Sequence, residues 1–168
     1  MQQAAATPDD IDLGSILPEE RVGIDVEASS KKRALELASE RIVAGTPAER
    51  ADILKPGAIF DAFLTRERLG STGLGHGVAI PHGRLSGNEE TLATFLRLSE
   101  GADFDASDQK PVDLVFALLV PENSTDVHLR VLATLARLFN DEAFCQRLRE
   151  APTAADAHQL LVGAGTPG

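Results

Sequence analysis

Apolar and polar positions alternate from residue 21 to 26, with Val22, Ile24 and Val26 set against Arg21, Gly23 and Asp25. A period of two predicts a half-buried strand. Ser29 and Ser30 then precede the stripe Ala34, Leu35, Ala38 and Ile42, which predicts a capped helix over 31–44, ended by Gly45, Thr46 and Pro47. A short helix is expected up to Leu54, where Lys55, Pro56 and Gly57 interrupt it. Ile59, Phe63 and Arg66, at i, i+4 and i+7, mark a further amphipathic helix over 58–68. Residues 70–77 carry four glycines and lead into the apolar stretch Val78, Ala79, Ile80, Pro81, with His82 at its end. Residues 91–98 read as a strand. The run VDLVFALLV over 112–120 is almost continuously apolar and stops at Pro121, as expected of a strand covered on both faces. Three helices are predicted after it, over 125–139, 141–150 and 153–162. The fold class that follows is α/β, a three-layer helix/sheet/helix sandwich formed by one domain over 11–162. Residues 1–10 and 163–168 read as flexible ends.

Composition narrows the partners. Hydrophobic residues make up 43% of the 168 positions and charged residues 25%, the balance of a globular chain. Lys and Arg number 16 against 26 Asp and Glu, a net charge of −10 with no basic run, so nucleic acid is not an expected partner. No basic start followed by an apolar core marks a signal peptide, and no apolar stretch is long enough for membrane insertion, so the cytoplasm is the expected location. The one cysteine, Cys145, falls within a helical pattern and reads as a buried thiol.

The candidate chemistry lies in histidines. His76, His82, His128 and His158 show no i, i+4 pairing, and no second cysteine assists them, so neither a metal site nor a cofactor is expected. The glycine-rich loop lacks the Gly-Lys-Ser/Thr of a phosphate-binding P-loop and follows a helix rather than a strand. Its Ser71, Thr72, Gly73, Gly75 and Gly77 could instead form an anion-holding nest of amides and hydroxyls. His82, between Pro81 and Gly83, fits an imidazole held at a surface strand end, and Gly83 permits an abrupt exit of the chain or close approach by a second molecule. A neutral imidazole accepts phosphoryl groups when its other nitrogen is fixed. A purely structural strand-end histidine fits the same residues.

Two more residues point inward. His128 shares the stripe of Val131, Leu132 and Leu135 near a helix start, where a neutral ring and a phosphate are both favoured. Arg66 lies on the core-facing stripe of its helix. Each alone reads equally as a satisfied core histidine or as an arginine answering a helix dipole. Converging on His82, they read as a phosphohistidine site.

The run from Leu64 through Arg66 and Glu67, across Gly70-Ser-Thr-Gly-Leu-Gly-His-Gly77, to Ile80-Pro-His-Gly-Arg84 resembles the active-site signature of enzyme IIA domains of the fructose/mannitol type. These belong to the bacterial phosphoenolpyruvate-dependent phosphotransferase system. Residues 30–36 and 104–121 resemble its nitrogen-regulatory branch, and the likeness extends over about 11–162. The resemblance implies a mixed, roughly five-stranded sheet, phosphorylation of His82, and Arg66 and His128 as its neighbours. It also implies a donor, a histidine-phosphorylated carrier of the HPr type (NPr in the nitrogen branch). Regulatory members bind partners such as potassium-transport components or sensor kinases, whereas sugar-linked members pass the group to a IIB domain. A non-catalytic anion-binding module is the third reading.

Two departures stand out: residues 45–57 form a longer segment, and His76 replaces a small polar residue. His76 is expected to face solvent, and His158 to lie on the surface of the last helix. From 70 to 85 there is no Asp or Glu, so a donor is expected to dock there over Leu74, Val78 and Leu85.

Overall fold

A computed structural model of the chain describes residues 12–44, 46–123 and 126–165. The expected flexible ends 1–10 and 166–168, the helix stop at Gly45 and the helix start at Thr125 lie outside the described residues. In chain order the elements are β1 (Val22–Val26), α1 (Lys31–Ile42), α2 (Pro56–Glu67), β2 (Gly73–Gly75), β3 (Val78–Ala79), β4 (His82–Leu85), β5 (Leu92–Ala102), β6 (Val112–Pro121), α3 (Asp126–Phe139), α4 (Glu142–Glu150) and α5 (Ala154–Gly165).

The apolar run that predicted a doubly covered strand is β6, the centre of a mixed sheet. It pairs antiparallel with β5, which pairs parallel with β1. On its other side β6 pairs parallel first with β3 (Val78 opposite Leu114) and then with β4 (His82 opposite Leu118). β2 pairs antiparallel with β3. β3 and β4 are thus two pieces of one line, broken at Ile80 and Pro81. The six strands fill five positions across the sheet, in the order β1, β5, β6, β3 with β4, β2. At the break the Ile80 amide donates to the Thr72 carbonyl, and the Pro81 carbonyl accepts from the Leu118 amide.

Alternation along β6 divides the core. Leu114, Phe116, Leu118 and Val120 join Val131, Leu135 and Phe139 of α3 and Phe144 and Leu148 of α4. Val115, Ala117 and Leu119 join Leu35, Ala38 and Ile42 of α1 and Ile59 and Phe63 of α2. α1 and α2 therefore cover one face, and α3, α4 and α5, the last through Ala157 and Leu161, cover the other. Local signals position their starts: the Ser30 hydroxyl accepts from the Arg33 amide, and the Asp141 carboxylate accepts from the Ala143 and Phe144 amides.

Several expected boundaries change. Pro56 opens α2 instead of interrupting a helix, because the first helical position needs no amide and suits a fixed φ. Before it, only a short 3-10 turn, Ala48–Arg50, forms. Arg50 from that turn pairs with Glu90 and donates to the Asn88 amide oxygen (3.3 Å), tying the long 45–57 segment to the loop after β4. His82 begins β4 rather than ending a strand. β5 continues to Ala102 and α5 to Gly165, past the predicted ends at 98 and 162.

Gly83 has a different partner from the one expected. A Cβ there would lie 2.9 Å from the Ala62 carbonyl carbon and 3.0 Å from its oxygen. The close approach is by α2 of the same chain. Because the obstructing atoms are backbone, Gly83→Ala should lower stability by about 1–3 kcal/mol, the usual cost of overpacking. A urea unfolding midpoint equal to that of the unsubstituted protein would remove this account of the glycine.

Candidate functional site

β4 lies at the edge of the sheet, where α2 from one layer and α3 from the other reach the same strand. His82 and Arg84, two residues apart, share the face of their register partners Leu118 and Val120. Gly83 between them faces Ala62 of α2, one turn before Arg66. The chain thereby brings Arg66, His82, Arg84 and His128 together from three elements.

The hydrogen bonds determine the tautomers. His82 Nδ1 lies 3.0 Å from the Ile80 carbonyl oxygen, which can only accept, so Nδ1 carries the proton. At the other nitrogen Arg66 Nε donates to His82 Nε2 at 3.2 Å, and an arginine can only donate. Both ends agree that Nε2 holds the lone pair. Arg66 is itself anchored, with Nη1 donating to the Gly70 carbonyl at 2.9 Å. His82 and His128 meet edge to face with ring centroids 5.0 Å apart, and they are only 7% and 8% exposed.

Electrostatics favour the neutral form of both rings. Burial pushes the His82 pKa below the ordinary histidine value, and Arg66 and Arg84 act in the same direction, while the Ile80 carbonyl and Glu67 oppose them. Burial pushes His128 down to about 4, helped by His82, Arg84 and Arg66. Two guanidiniums, Arg66 and Arg84, and the neutral His128 ring beside an unprotonated Nε2 are suited to receive an anionic electrophile.

The family model of the phosphoenolpyruvate-dependent sugar phosphotransferase system, EIIA 2, matches residues 15–163. The chain belongs to this family. Relatives named nitrogen regulatory protein match it over most of its length. The nitrogen regulatory protein of Escherichia coli (strain K12) is 43% identical over 161 residues, 94% of this chain and 94% of that protein. The crystal structure of the nitrogen regulatory protein IIA-Ntr from Neisseria meningitidis superposes with a TM-score of 0.81 at 42% identity, covering 89% of this chain and 98% of that one. A fructose-specific EIIA component from Haloferax volcanii is 32% identical over 150 residues, 89% of this chain and 94% of that protein. No helix among the described residues is long and apolar enough to cross a membrane.

The remaining signature residues of this EIIA chain have other duties. The Ser71 hydroxyl donates to the Phe104 carbonyl (2.6 Å) and accepts from the Gly73 amide (3.0 Å). The Thr72 hydroxyl donates to the buried Glu67 carboxylate, which also lies 3.6 Å from Lys31 Nζ. Gly73 and Gly75 belong to β2, and Gly77 turns the chain at φ +81° with the Arg149 guanidinium and the Asp113 carboxylate against it. Of the expected cradle of Ser71, Thr72, Gly73, Gly75 and Gly77, both hydroxyls and the Gly73 amide are thus bonded to protein partners, Thr72 to a buried carboxylate. The loop instead seats β2 and holds the Gly70 carbonyl against Arg66.

His76 faces solvent as expected, with Nδ1 3.4 Å from a Glu142 carboxylate oxygen. His158 does not stand free on the surface: Nε2 lies 2.8 Å from the Leu17 carbonyl, tying α5 to the turn before β1. Cys145 is buried, and burial pushes its thiol pKa up. Val78 is fully buried and cannot line a docking surface. The exposed large apolar residues near the site in sequence are Leu69 (81%), after Arg66, and Leu129 (59%), after His128, with Leu74 less open. Sequence reading missed Arg84 as part of the site. Its i+2 spacing from His82 on a strand was the available signal.

Proposed function

We propose that this cytoplasmic protein accepts a phosphoryl group on Nε2 of His82 from a histidine-phosphorylated carrier of the HPr type (NPr), and that its phosphorylation state governs binding to partner proteins. Potassium-transport components and sensor kinases are the partner classes in view. The carrying observation is the Ile80 carbonyl on His82 Nδ1, which leaves Nε2 as the unprotonated nucleophile. In the transfer His82 Nε2 bonds to phosphorus as the nitrogen–phosphorus bond of the donor histidine breaks, and the donor ring keeps that electron pair. No proton moves, because Nδ1–H remains on the Ile80 carbonyl. The His82 ring gains positive charge, which that carbonyl and nearby Glu67 stabilise. Arg66 Nε–H exchanges its bond to Nε2 for a phosphoryl oxygen, and His128 supplies a second donor from the opposite layer. Of the expected Leu74, Val78 and Leu85, Leu74 is kept, Val78 is buried and Leu85 packs partly into the core, so exposed Leu69 and Leu129 join Leu74 as the apolar part of the donor interface.

Incubation with phosphoenolpyruvate, enzyme I and an HPr-type carrier tests this reading: it predicts one acid-labile phosphoryl group per chain, and none means it fails. The fructose-specific name of the Haloferax volcanii relative supports a second reading, transfer onward to a IIB domain. Loss of the label on adding candidate IIB domains would favour it.

The lowered His82 pKa fixes the pH dependence. The reactive form is neutral, so the half-point of the loss of acceptance on acidification should lie below about 6.5, the ordinary histidine value. A single-turnover rate already halved near pH 6.5 would contradict the assignment.

A further inference from the structure

We infer that Arg84 is a positioning residue that fixes the tautomer of His128, holding its Nδ1 as an acceptor and so keeping the ring proton on the buried Nε2. This inference rests on the acceptor reading of His82 for its functional meaning, but its structural content stands apart from it. Arg84 Nη1 donates to the Glu122 carbonyl at 3.1 Å, which orients the guanidinium fork from the segment joining β6 to α3. Arg84 Nη2 then lies 3.4 Å from His128 Nδ1. A guanidinium can only donate, so the contact is a hydrogen bond solely when Nδ1 is unprotonated and Nε2 carries the hydrogen.

His128 Nε2 is buried and has no hydrogen-bond partner among the described residues. A buried N–H without an acceptor is uncommon and calls for an explanation. Here the ring carrying it stands edge to face with His82, 5.0 Å between centroids. A phosphoryl group on His82 brings anionic oxygens to the neighbourhood of that donor. With the opposite tautomer, Nε2 would offer a lone pair to those oxygens and repel them. The guanidinium thus acts through His128, keeping a donor ready without the ring having to take up a proton. A direct role for Arg84 as a second cation on the phosphoryl group predicts different results and is separable by experiment.

The test compares the unsubstituted protein with Arg84→Met, which removes the donor, and Arg84→Lys, which keeps one, using ¹⁵N shifts of the His128 ring at pH 7. The unsubstituted protein should show the Nε2–H tautomer. Arg84→Met should show intermediate shifts of two exchanging tautomers, with amide spectra confirming an intact fold, and Arg84→Lys should return toward Nε2–H. In single-turnover phosphorylation at saturating carrier, Arg84→Met should slow transfer by no more than the about 10²–10³-fold of one lost donor. In a His128→Ala background the same substitution should cost nothing further. An Nδ1–H tautomer in the unsubstituted protein, unchanged shifts in Arg84→Met, or an added loss in the His128→Ala background would each overturn the inference. Absence of phosphorylation in every protein would fail the acceptor reading while leaving the tautomer result to stand or fall by itself.

Discussion

His82→Ala is expected to take up no phosphoryl group from the phosphorylated carrier while keeping a folded chain. The loss should be complete because no other described histidine combines a ring nitrogen held on a carbonyl with an arginine donating to the opposite nitrogen; His128 has the arginine, Arg84 at Nδ1, but no acceptor at Nε2. His158 is tied to the Leu17 carbonyl, His76 stands on an exposed turn beside Glu142, and neither has an arginine donating to a fixed lone pair. The fold should survive because β4 is held through backbone pairing with β6 from His82 to Leu85 and through the approach of Gly83 to Ala62. The His82 ring makes two hydrogen bonds, to the Ile80 carbonyl and from Arg66, so the stability cost should be about 2 kcal/mol at about 1 kcal/mol for each. Phosphate incorporation and the urea midpoint, measured on the same preparation, separate the two statements. Incorporation near the unsubstituted level would end the assignment.

Arg66→Ala has the second largest expected effect, a fall of about 10²–10³-fold in the single-turnover rate at saturating carrier, as for removal of one preorganised charge-stabilising donor. The guanidinium donates to His82 Nε2 and is anchored on the Gly70 carbonyl, so both the charge and its placement go together. A second, independent reading follows from electrostatics. Arg66 is one of the groups that lowers the His82 pKa, so its removal should raise that pKa in an NMR titration. The signs oppose one another usefully: the nitrogen becomes more basic, yet transfer slows, because stabilisation of the phosphoryl oxygens outweighs the gain in basicity. An unchanged rate would reduce Arg66 to a helix-end residue answering the dipole of α2. An unchanged titration would show that its charge is screened from the ring.

The elements with strong local patterns were legible in the chain alone. The apolar run of β6, the Ser30 cap of α1 and the inward stripe of His128, Val131 and Leu135 all depend on neighbours within one turn or one strand. What stayed hidden depends on contacts between distant segments. Gly83 reads as a flexible exit until Ala62 is brought against it. Ser71 and Thr72 look like free hydroxyls until the Phe104 carbonyl and the Glu67 carboxylate take their protons. Val78 seems exposed beside a glycine loop, but β3 inserts beside Leu114 and buries it. Pro56 was legible in principle, since proline favours the first helical position, but a neighbouring Lys-Pro-Gly sequence equally describes a break. Arg66 and His128 were singled out by the inward stripes of their helices, His82 by its place between Pro81 and Gly83, and all three by a family signature. The structure brings them together; the hydrogen bonds at each nitrogen were legible in none of these signals.

The central claim is that a phosphoryl group comes to rest on one particular atom, and nitrogen–phosphorus coupling tests it most directly. The protein, labelled with ¹⁵N in its histidine rings, is phosphorylated through the carrier and studied by ³¹P–¹⁵N NMR. The account predicts a single phosphohistidine, with the coupling at Nε2 of His82 and the proton of that ring on Nδ1. Coupling at Nδ1 of His82, or at any nitrogen of His76, His128 or His158, would contradict it.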